Sequence, residues 1–581
     1  MLLGIIVGAQ DAAAQRVARL PIRTDGPKSL DPVKGSTTYD NQACSQVYDC
    51  LFQYKYLKRP LELEGALAEE VPDPVNNPDG TQTWRIRLRT GVTFHDDPCF
   101  PGGKGREVVT DDVFYSWKRL ADPRYEYENW WLVEDTFVGF DDYKDAQKAL
   151  VDAGKPFDYD APVAGFKKIG SHEFEVILKK PVVRFKWVVA MFQLSIVPRE
   201  AVERYGERFT IHPIGTGPYM VKEGDWKPGE KLIFQRNPSY REEYYPGECT
   251  PEDKALGLDA RAGDRLPFLD RIEVQFYVQD QPMWLDFLAK KIGFVQVPAE
   301  YFEQAYIKRT RKLRPSFASQ GIRSHPEPLL DFIFRGFNME DPVVGGYTEE
   351  KKALRQAICL AIDLNDINEK FYNGINVEYD GPIPPGLPGH PENGEARVSY
   401  RGPDIPLALE LMEKAGYPRG KGLPPLDYYA GKGGNESEQT QMLIRQLGRI
   451  GVRLNARQVD FSELIELIGK KKAQFFGFAW GSDYPDAENN LALFYSKNKA
   501  PGANHYNYDR PEFDAMYEQI LVMDEGEERT EILVKMRDMI IEDAPFVGSM
   551  ARTRFYLINP WLKNFKPSED FYNYYKYMDV E

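Results

Sequence analysis

The sequence predicts an α/β protein of two hinged lobes, and three observations carry that prediction. The chain has 581 residues, while a single hydrophobic core stops growing near ~250–300 residues, so at least two lobes are required. Residues 425–480 read as strand, helix, strand, helix, strand, the alternation of an α/β layer. Short alternating strands dominate before residue 280 and return in the tail from residue 546. That order fits a first lobe interrupted by the second and joined to it by two crossing strands, a geometry that permits hinge closure.

Taken along the chain, residues 17–22 form a first strand, and a helix is expected over 40–52. Residues 84–89 alternate Trp84, Ile86 and Leu88 with three arginines, the period-2 pattern of a half-buried strand. The Pro- and Gly-rich stretch 98–105 is a loop. Thr110-Asp111-Asp112 opens a helix, with carboxylates near the positive end of its dipole and Phe114, Trp117 and Leu120 on one face. Strands are expected at 166–169, 173–178 and 194–198. A turn follows at Gly215-Thr216-Gly217-Pro218-Tyr219 and feeds a strand pair that ends at Arg236-Asn237-Pro238. Residues 241–266 are polar and loop-like, and 271–278 alternate as a strand. Beyond 280, helices are expected at 284–288, 351–362, 406–415, 437–450 and 461–468. Strands are expected at 332–337, 426–429, 452–459 and 474–480. Two long helices, 511–523 and 526–542, precede strands over 546–558. The resulting division is lobe I over 16–55, 191–280 and 549–581, an inserted subdomain over 56–190, and lobe II over 281–548. The lobes are expected to be linked near 274–280 and 546–551.

Composition excludes several functions. The formal net charge is −15 and the isoelectric point is near 5.2, so a nucleic-acid backbone would be repelled. Lys470-Lys471-Lys472 is too short to offset this and reads as a solvated helix end. Aromatic content is 13%, which fits either a large core with aromatic surface patches or a cleft lined with amphipathic rings. The N-terminus is a short apolar run followed by small residues ending at Ala14 and Gln15. This is the back half of a secretory signal peptide without its charged start, so residues 1–15 are expected to be a signal-peptide remnant. No cysteine follows the run to carry a lipid. Cys44, Cys50, Cys99, Cys249 and Cys359 contain no C-x-x-C pair. One or two disulfides are compatible with an exported chain, and Cys359, inside an apolar segment, is expected to be a buried free thiol. Six histidines lie singly at 95, 172, 212, 325, 390 and 505. No metal-ligand spacing, nucleophile elbow, phosphate-binding loop or dinucleotide fingerprint is present. The abundant carboxylates leave a glycosidase pair open, but neither an enzyme nor a cofactor is expected.

Five separated segments share a pattern. The first is Ser29-Leu30-Asp31-Pro32 with Val47-Tyr48-Asp49-Cys50-Leu51. The second runs from Thr83-Trp84 to Phe94-His95, then Val109-Thr110-Asp111-Asp112-Val113-Phe114-Tyr115-Ser116. The third is Pro213-Ile214-Gly215-Thr216-Gly217-Pro218-Tyr219 with Arg236-Asn237-Pro238. The fourth runs from Arg355 to Asp363, and the fifth is Trp480-Gly481-Ser482-Asp483-Tyr484-Pro485-Asp486. In order and spacing these resemble the extracellular solute-binding proteins of ABC importers, the family that includes the dipeptide- and oligopeptide-binding proteins. The chain departs from that pattern at Leu364, where the family usually has Arg, at Cys50, where it has Gly, and in longer stretches over 136–160 and 241–268.

The resemblance implies the two-lobe hinged fold of periplasmic binding proteins, in its large class with an extra subdomain in lobe one. It also implies capture of a di- or oligopeptide for membrane permease subunits by a soluble, monomeric, periplasmic protein. Asp483 would hold the ligand's α-ammonium, because a carboxylate in a water-poor cleft binds a cation far better than in bulk water. Trp480 and Tyr484 would flank it. Ser36, Thr37, Thr38 and Tyr39 would form a wall offering backbone hydrogen bonds to an extended peptide, and Trp130 and Trp131 would line the inserted subdomain's side. Alternative solutes are a nickel chelate, haem, an oligosaccharide or an opine-like amine. The acidic Asp483 favours an amine, and the scattered histidines disfavour a metal. A secreted hydrolase is the alternative from another class.

Overall fold

The structure, a computed structural model, describes residues 15–24, 26–127, 129–433 and 435–581. The expected signal segment, apart from Gln15, lies outside the described residues. The first-lobe sheet is assembled from distant parts of the chain. Val17–Ile22 runs parallel to Arg271–Phe276, which pairs antiparallel with Lys231–Arg236. That strand in turn pairs with Tyr219–Met220 and Trp226–Lys227. Ala18, Leu20 and Ile22 point into the core, as the strand's alternation requires.

The inserted subdomain holds a four-stranded sheet in the order Val75–Asn76, Gln82–Arg87, Glu173–Leu178, Phe166–Gly170. Trp84 and Ile86 face inward, while Arg85 and Arg87 face out and share the Glu173 carboxylate at 3.0 and 2.9 Å. The helix Thr110–Lys118 follows. Arg119 at its end reaches back to the first lobe and grips Asp31 through two bonds, of 2.7 and 3.0 Å. Both side chains are almost wholly buried. This pair ties the Ser29-Leu30-Asp31-Pro32 turn to the inserted subdomain.

The second lobe is a six-stranded sheet. Its order is Val377–Tyr379, Phe546–Ala551, Asp331–Phe337, Phe475–Gly481, Leu426–Gly431, Leu454–Val459. Side-chain alternation splits neighbours between two cores. Tyr428, Phe475 and Phe337 pack with the helices Glu349–Ala361, Ile405–Lys414 and Glu436–Gly448. Tyr429, Phe476 and Phe334 pack on the other face with Pro511–Ile520 and Glu527–Asp543. A strand pleat sends successive side chains to opposite faces, so one apolar run supplies two cores.

A three-stranded sheet connects the lobes, in the order Phe294–Gln296, Thr553–Ile558, Arg323–Pro328. Two of its strands continue directly into the second-lobe sheet. Arg323–Pro328 passes through Leu329 and Leu330 into Asp331–Phe337, and Phe546–Ala551 passes through Arg552 into Thr553–Ile558. At the junction the Leu329 N–H donates to the Arg552 carbonyl at 2.8 Å. The buried Asp331 carboxylate accepts the Arg552 N–H at 2.8 Å and pairs with its guanidinium. The crossing therefore lies at 328–331 and 551–553, not near 274–280. The strand Arg271–Phe276 stays within the first-lobe sheet. The chain after it builds a small core of its own from Trp284, Phe287, Val295, Phe302 and Tyr306, closed by Phe555 and Leu557. Residues 281–328, expected in the second lobe, belong to this connecting layer. The tail returns to the first lobe, where Phe571, Tyr572, Tyr574, Tyr575 and Tyr577 enter the core.

Local expectations differ from the structure at two places that frame the cleft. The helix expected over 40–52 is Thr38–Val47. It stops there because Gly217 donates to the Val47 carbonyl at 2.8 Å, and the Gly215-Thr216-Gly217 turn presses on the helix end. A Cβ on Gly217 would lie 2.5 Å from the Val47 carbonyl carbon, and one on Gly215 would lie 2.2 Å from its oxygen, so only glycine fits at either position. The strand expected at 194–198 forms no ladder; Ile196 instead donates to the Asp49 carbonyl at 3.1 Å. All five cysteines are free, so the disulfides considered from the sequence do not form. Cys359 is buried, as expected of an apolar segment.

The Arg119–Asp31 pair generates a stability test. Arg119→Met leaves a carboxylate buried without its partner, which costs about 3–5 kcal/mol. The urea midpoint should fall accordingly, and the Arg119→Met/Asp31→Leu double variant should recover most of the loss. A midpoint unchanged in the single variant would show that the pair contributes nothing to coherence between turn and subdomain.

Candidate functional site

Between the lobes lies a cavity of about 260 Å³. Its first-lobe walls are the start of the helix Thr38–Val47, the segment 48–54, residues 190–195 and the tail over 570–576; Asp483 enters from the second lobe. The strand Phe475–Gly481 positions this carboxylate. Gly481 lies opposite Asp331 in the ladder, and the next N–H, of Ser482, donates to the Leu330 carbonyl at 2.7 Å. The loop bearing Asp483 is thus bonded directly to the crossing strand.

Asn489, on the short helix Ala487–Leu491, fixes the loop's interior. Its Oδ1 accepts from Trp480 Nε1 at 3.1 Å and from the Asp483 N–H at 3.2 Å, and its Nδ2 donates to Asp483 Oδ2 at 3.0 Å. Asn490 adds a bond to Ser482 Oγ at 2.8 Å. Asp483 is exposed by surface area, but that surface opens into the cavity. Surrounding protein mass raises its pKa by desolvation, against the pull of Asn489 and Arg184. It has no ion-pair partner among the described residues. A carboxylate so placed favours a cation supplied from outside.

The other residues expected at the site divide into two groups. Ser36, Thr37, Thr38 and Trp131 line the cavity, and Trp131 is 43% exposed. Trp480, Tyr484, Tyr39 and Trp130 do not. Trp480 is half-buried and spends its N–H on Asn489. Tyr484 is buried and donates to Glu488 at 2.5 Å. Tyr39 packs against the first-lobe core. Trp130 is 4% exposed and packs against Phe140 with ring centroids 5.0 Å apart and planes tilted by 51°. The wall at 36–38 is a helix start and not a free strand edge. Thr37 and Asp40 form a reciprocal capping box, and the N–H groups of Ser36 and Thr37 both donate to Asp40 Oδ2, at 3.3 and 3.1 Å. Those two donors are unavailable to an extended ligand.

The floor is a closed set of charges. Lys576 donates to both Glu243 oxygens, at 2.8 and 2.9 Å, and to Gln53 Oε1 at 2.8 Å. Arg241 pairs with Glu243 at 3.1 Å and lies 3.6 Å from Asp49, which also accepts from Thr216 at 2.8 Å. Burial would raise the pKa of Glu243, but Arg241 and Lys576 hold it well below the usual carboxylate range. These four charges cancel in pairs and leave nothing for a ligand to neutralise. Asp570, on the tail, also lines the cavity. No spacing or motif in the sequence marked it. Asn489 did leave a signal, since two adjacent asparagines in a short helix run against helix propensity.

The lobes touch beside the cavity. Val183 donates to the Leu521 carbonyl at 3.4 Å, and Lys186 pairs with Glu525 at 2.6 Å. Arg184 enters the second lobe near Tyr484 and Glu488: burial pulls its pKa down, and those groups more than offset this. Tyr484 itself packs with the first-lobe core. Among the described residues, no group of three or more His, Cys, Asp or Glu side chains is arranged to hold a metal ion, and no helix is long and apolar enough to cross a membrane.

Residues 62–502 match the family model described as bacterial extracellular solute-binding proteins, family 5. Among curated proteins, heme-binding protein A of Haemophilus influenzae is 22% identical over 544 residues, covering 92% of this chain and 86% of that protein. Probable di/tripeptide-binding protein 5 of Pseudomonas aeruginosa is 24% identical over 573 residues, covering 96% and 94%. Among solved structures, HbpA2 from Haemophilus parasuis superposes with a TM-score of 0.76 at 19% identity, covering 97% of this chain and all of that one. That likeness shows a shared two-lobe fold.

The contact between lobes is testable by shape. The double variant Arg184→Met/Lys186→Met removes the charged contacts that bridge the rim, so the lobes should spread. X-ray scattering should record a larger radius of gyration than for the unaltered protein, with an unchanged circular dichroism spectrum. An identical scattering curve would show that these contacts do not hold the lobes together.

Proposed function

Because this chain belongs to the family 5 bacterial extracellular solute-binding proteins, we propose that it is the periplasmic receptor of an ABC importer that captures short peptides between its lobes and hands them to membrane permease subunits. The observation that carries the reading is Asp483, a carboxylate facing the cavity, braced by Asn489 and lacking a cationic partner. An α-ammonium is the ligand group that such a carboxylate pairs with best. In a desolvated site the charge-assisted bond is strong, and the carboxylate's own burial cost is offset. The di/tripeptide-binding relative supports the same class of ligand.

The cavity of about 260 Å³ is at the small end of the ~300–1,000 Å³ typical of ligand pockets, which favours a short peptide over a long one. Haem, the ligand in the name of another relative, is disfavoured. Its two propionates would face Asp483 and Asp570, and no histidine lines the cavity to meet its iron. The proposed role is binding without catalysis. A cleft lined by a braced carboxylate and a neutralised floor presents no nucleophile–base pair, so transfer to a permease is the consequence of closure and reopening.

Asp483→Asn keeps the side-chain shape and removes its charge. Losing one partner of a desolvated charged pair costs ~2–5 kcal/mol, which is roughly 30- to several-thousand-fold in Kd. Calorimetry with a panel of di- and tripeptides should show that loss with the melting temperature nearly unchanged. N-acetylation of the peptide should weaken binding to the unaltered protein and have much less effect on the variant. Equal affinities for free and acetylated peptides would remove the assigned role of Asp483. Preferential uptake of haem, seen as a Soret shift, would replace the peptide reading.

A further inference from the structure

Each lobe contributes a carboxylate to the cavity, and the peptide reading uses only the one from the second lobe. Asp570 lies in the first-lobe tail between Glu569 and Phe571 and lines the same cavity as Asp483. Its N–H donates to Ser568 Oγ at 3.3 Å, but among the described residues its carboxylate has no hydrogen-bond or ion-pair partner.

The groups around Asp570 are largely committed elsewhere, although the buried Arg59 Nη2 has no hydrogen-bond partner among the described residues. Arg59 is the cation whose charge acts on Asp570. Its guanidinium donates to the Tyr56 and Lys58 carbonyls at 3.3 and 2.8 Å, approaches Glu327 at 4.0 Å and lies over the Phe571 ring. Glu327 is bonded to His325 at 2.9 Å. Glu569 is held by Arg554 and Tyr556, and by Tyr572 at 3.2 Å. Burial, helped by the negative charges of Glu327 and Glu569 and opposed by Arg59, pushes the Asp570 carboxyl up to about 7.

A second observation points the same way. Gln193 also lines the cavity; it is only 8% exposed, and its Oε1 has no partner. Asn573 Oδ1, in the same lining, is likewise unsatisfied. Lys576 is the one basic side chain among the described lining residues, and Glu243 and Gln53 already occupy it. Among the described lining residues the cavity therefore holds no uncommitted cation. Buried acceptors without donors are costly unless a ligand brings the donors.

We infer that Asp570 is a specificity-determining residue that accepts a second positive charge on the ligand, so that the cleft selects peptides bearing a lysine or arginine side chain as well as a free α-ammonium. This rests on the peptide reading of the cleft. The two carboxylates then divide the recognition between the lobes: Asp483 holds the amino terminus from the second lobe, and Asp570 holds the basic side chain from the first. A dicationic ligand bridges the lobes through opposite charge on both sides, whereas an acidic peptide would pair its α-ammonium with Asp483 but leave Asp570 unpaired and add a further carboxylate beside it.

The pH dependence has a definite sign. Below about 7 the Asp570 carboxyl is protonated and neutral, and above it the group is charged. Affinity for a basic side chain should therefore rise as pH increases toward and through about 7. The ligand-free protein loses stability as pH climbs from the ordinary carboxylate range to about 7, where the unfolded chain is already ionised and the folded group is not, and loses no more from this group above it.

The test is calorimetry on the full chain with tripeptides carrying lysine, norleucine or glutamate at the second or third position. The unaltered protein should bind a lysine peptide about tenfold or more tightly than its norleucine counterpart, the range of one hydrogen bond to a charged group. The glutamate peptide should bind most weakly. In Asp570→Asn the lysine preference should collapse while norleucine affinity stays nearly constant. The rise of that preference from about pH 6 to about pH 8 should vanish in this variant and persist in His325→Gln, which separates it from the neighbouring histidine. If no tripeptide binds the unaltered protein, the peptide reading fails. If peptides bind but lysine brings no preference, or Asp570→Asn keeps it, the peptide reading stands and the role of Asp570 is overturned.

Discussion

Two strands that run through two sheets set the frame on which everything else is placed. Arg323–Phe337 and Phe546–Ile558 pair antiparallel on both sides of a junction where Asp331 grips Arg552 and Leu329 bonds back to the same residue. The chain is continuous through both strands, but the pairing is not in one unbroken register, since it shifts at an irregularity between Ile333 and Arg335. A slip of one residue would turn Phe332 and Phe334 out of one core and Phe337 out of the opposite one. The same register puts Gly481 opposite Asp331. The binding loop consequently begins where the chain crosses between lobes, and Ser482 is bonded to Leu330 there. A motion about this junction would move Asp483 relative to the first lobe while keeping its bonds to Asn489.

Charge in the interlobe region falls into two kinds. Asp49, Arg241, Glu243 and Lys576 form a floor in which positive and negative groups are matched and hydrogen-bonded. Burial on this scale is tolerable because the charges are matched, two against two. Asp483 and Asp570 are the exceptions, carboxylates that face the cavity without an ion-pair partner among the described residues. The contrast marks what is scaffold and what is available to a ligand more clearly than acidity alone, since carboxylates outnumber basic residues throughout the chain.

Strong periodicity was enough to locate most elements. The alternation around Trp84 and Ile86, the runs ending at Phe337 and Trp480, and the helices beginning near Glu349, Ile405 and Glu436 all appear within a few residues of their expected positions. Errors arose where distant chain decides. The helix ending at Val47 is stopped by a carbonyl contact from Gly217, 170 positions further on by sequence number. Residues 281–328 were placed with the second lobe because helical and strand segments begin there. They instead close a small core with Phe555 and Leu557, whose approach no local pattern announces.

The sequence by itself determined the α/β class and the family, since these follow from periodicity and from the order and spacing of motifs along one chain. It also singled out Asp483, because that residue stands in a spaced motif with Trp480. Tertiary structure alone decided that Trp480 and Tyr484 serve as braces and packing while Trp131 faces the cavity, and that Asp570 stands there too. It alone decided that the N–H groups of Ser36 and Thr37 are consumed by Asp40. The physical reason is that a side chain's availability depends on which partners reach it. Asn489 reaches Trp480, Asp40 reaches Thr37, and among the described residues no donor reaches the Asp570 carboxylate, and such distances are set by packing among segments far apart in the chain.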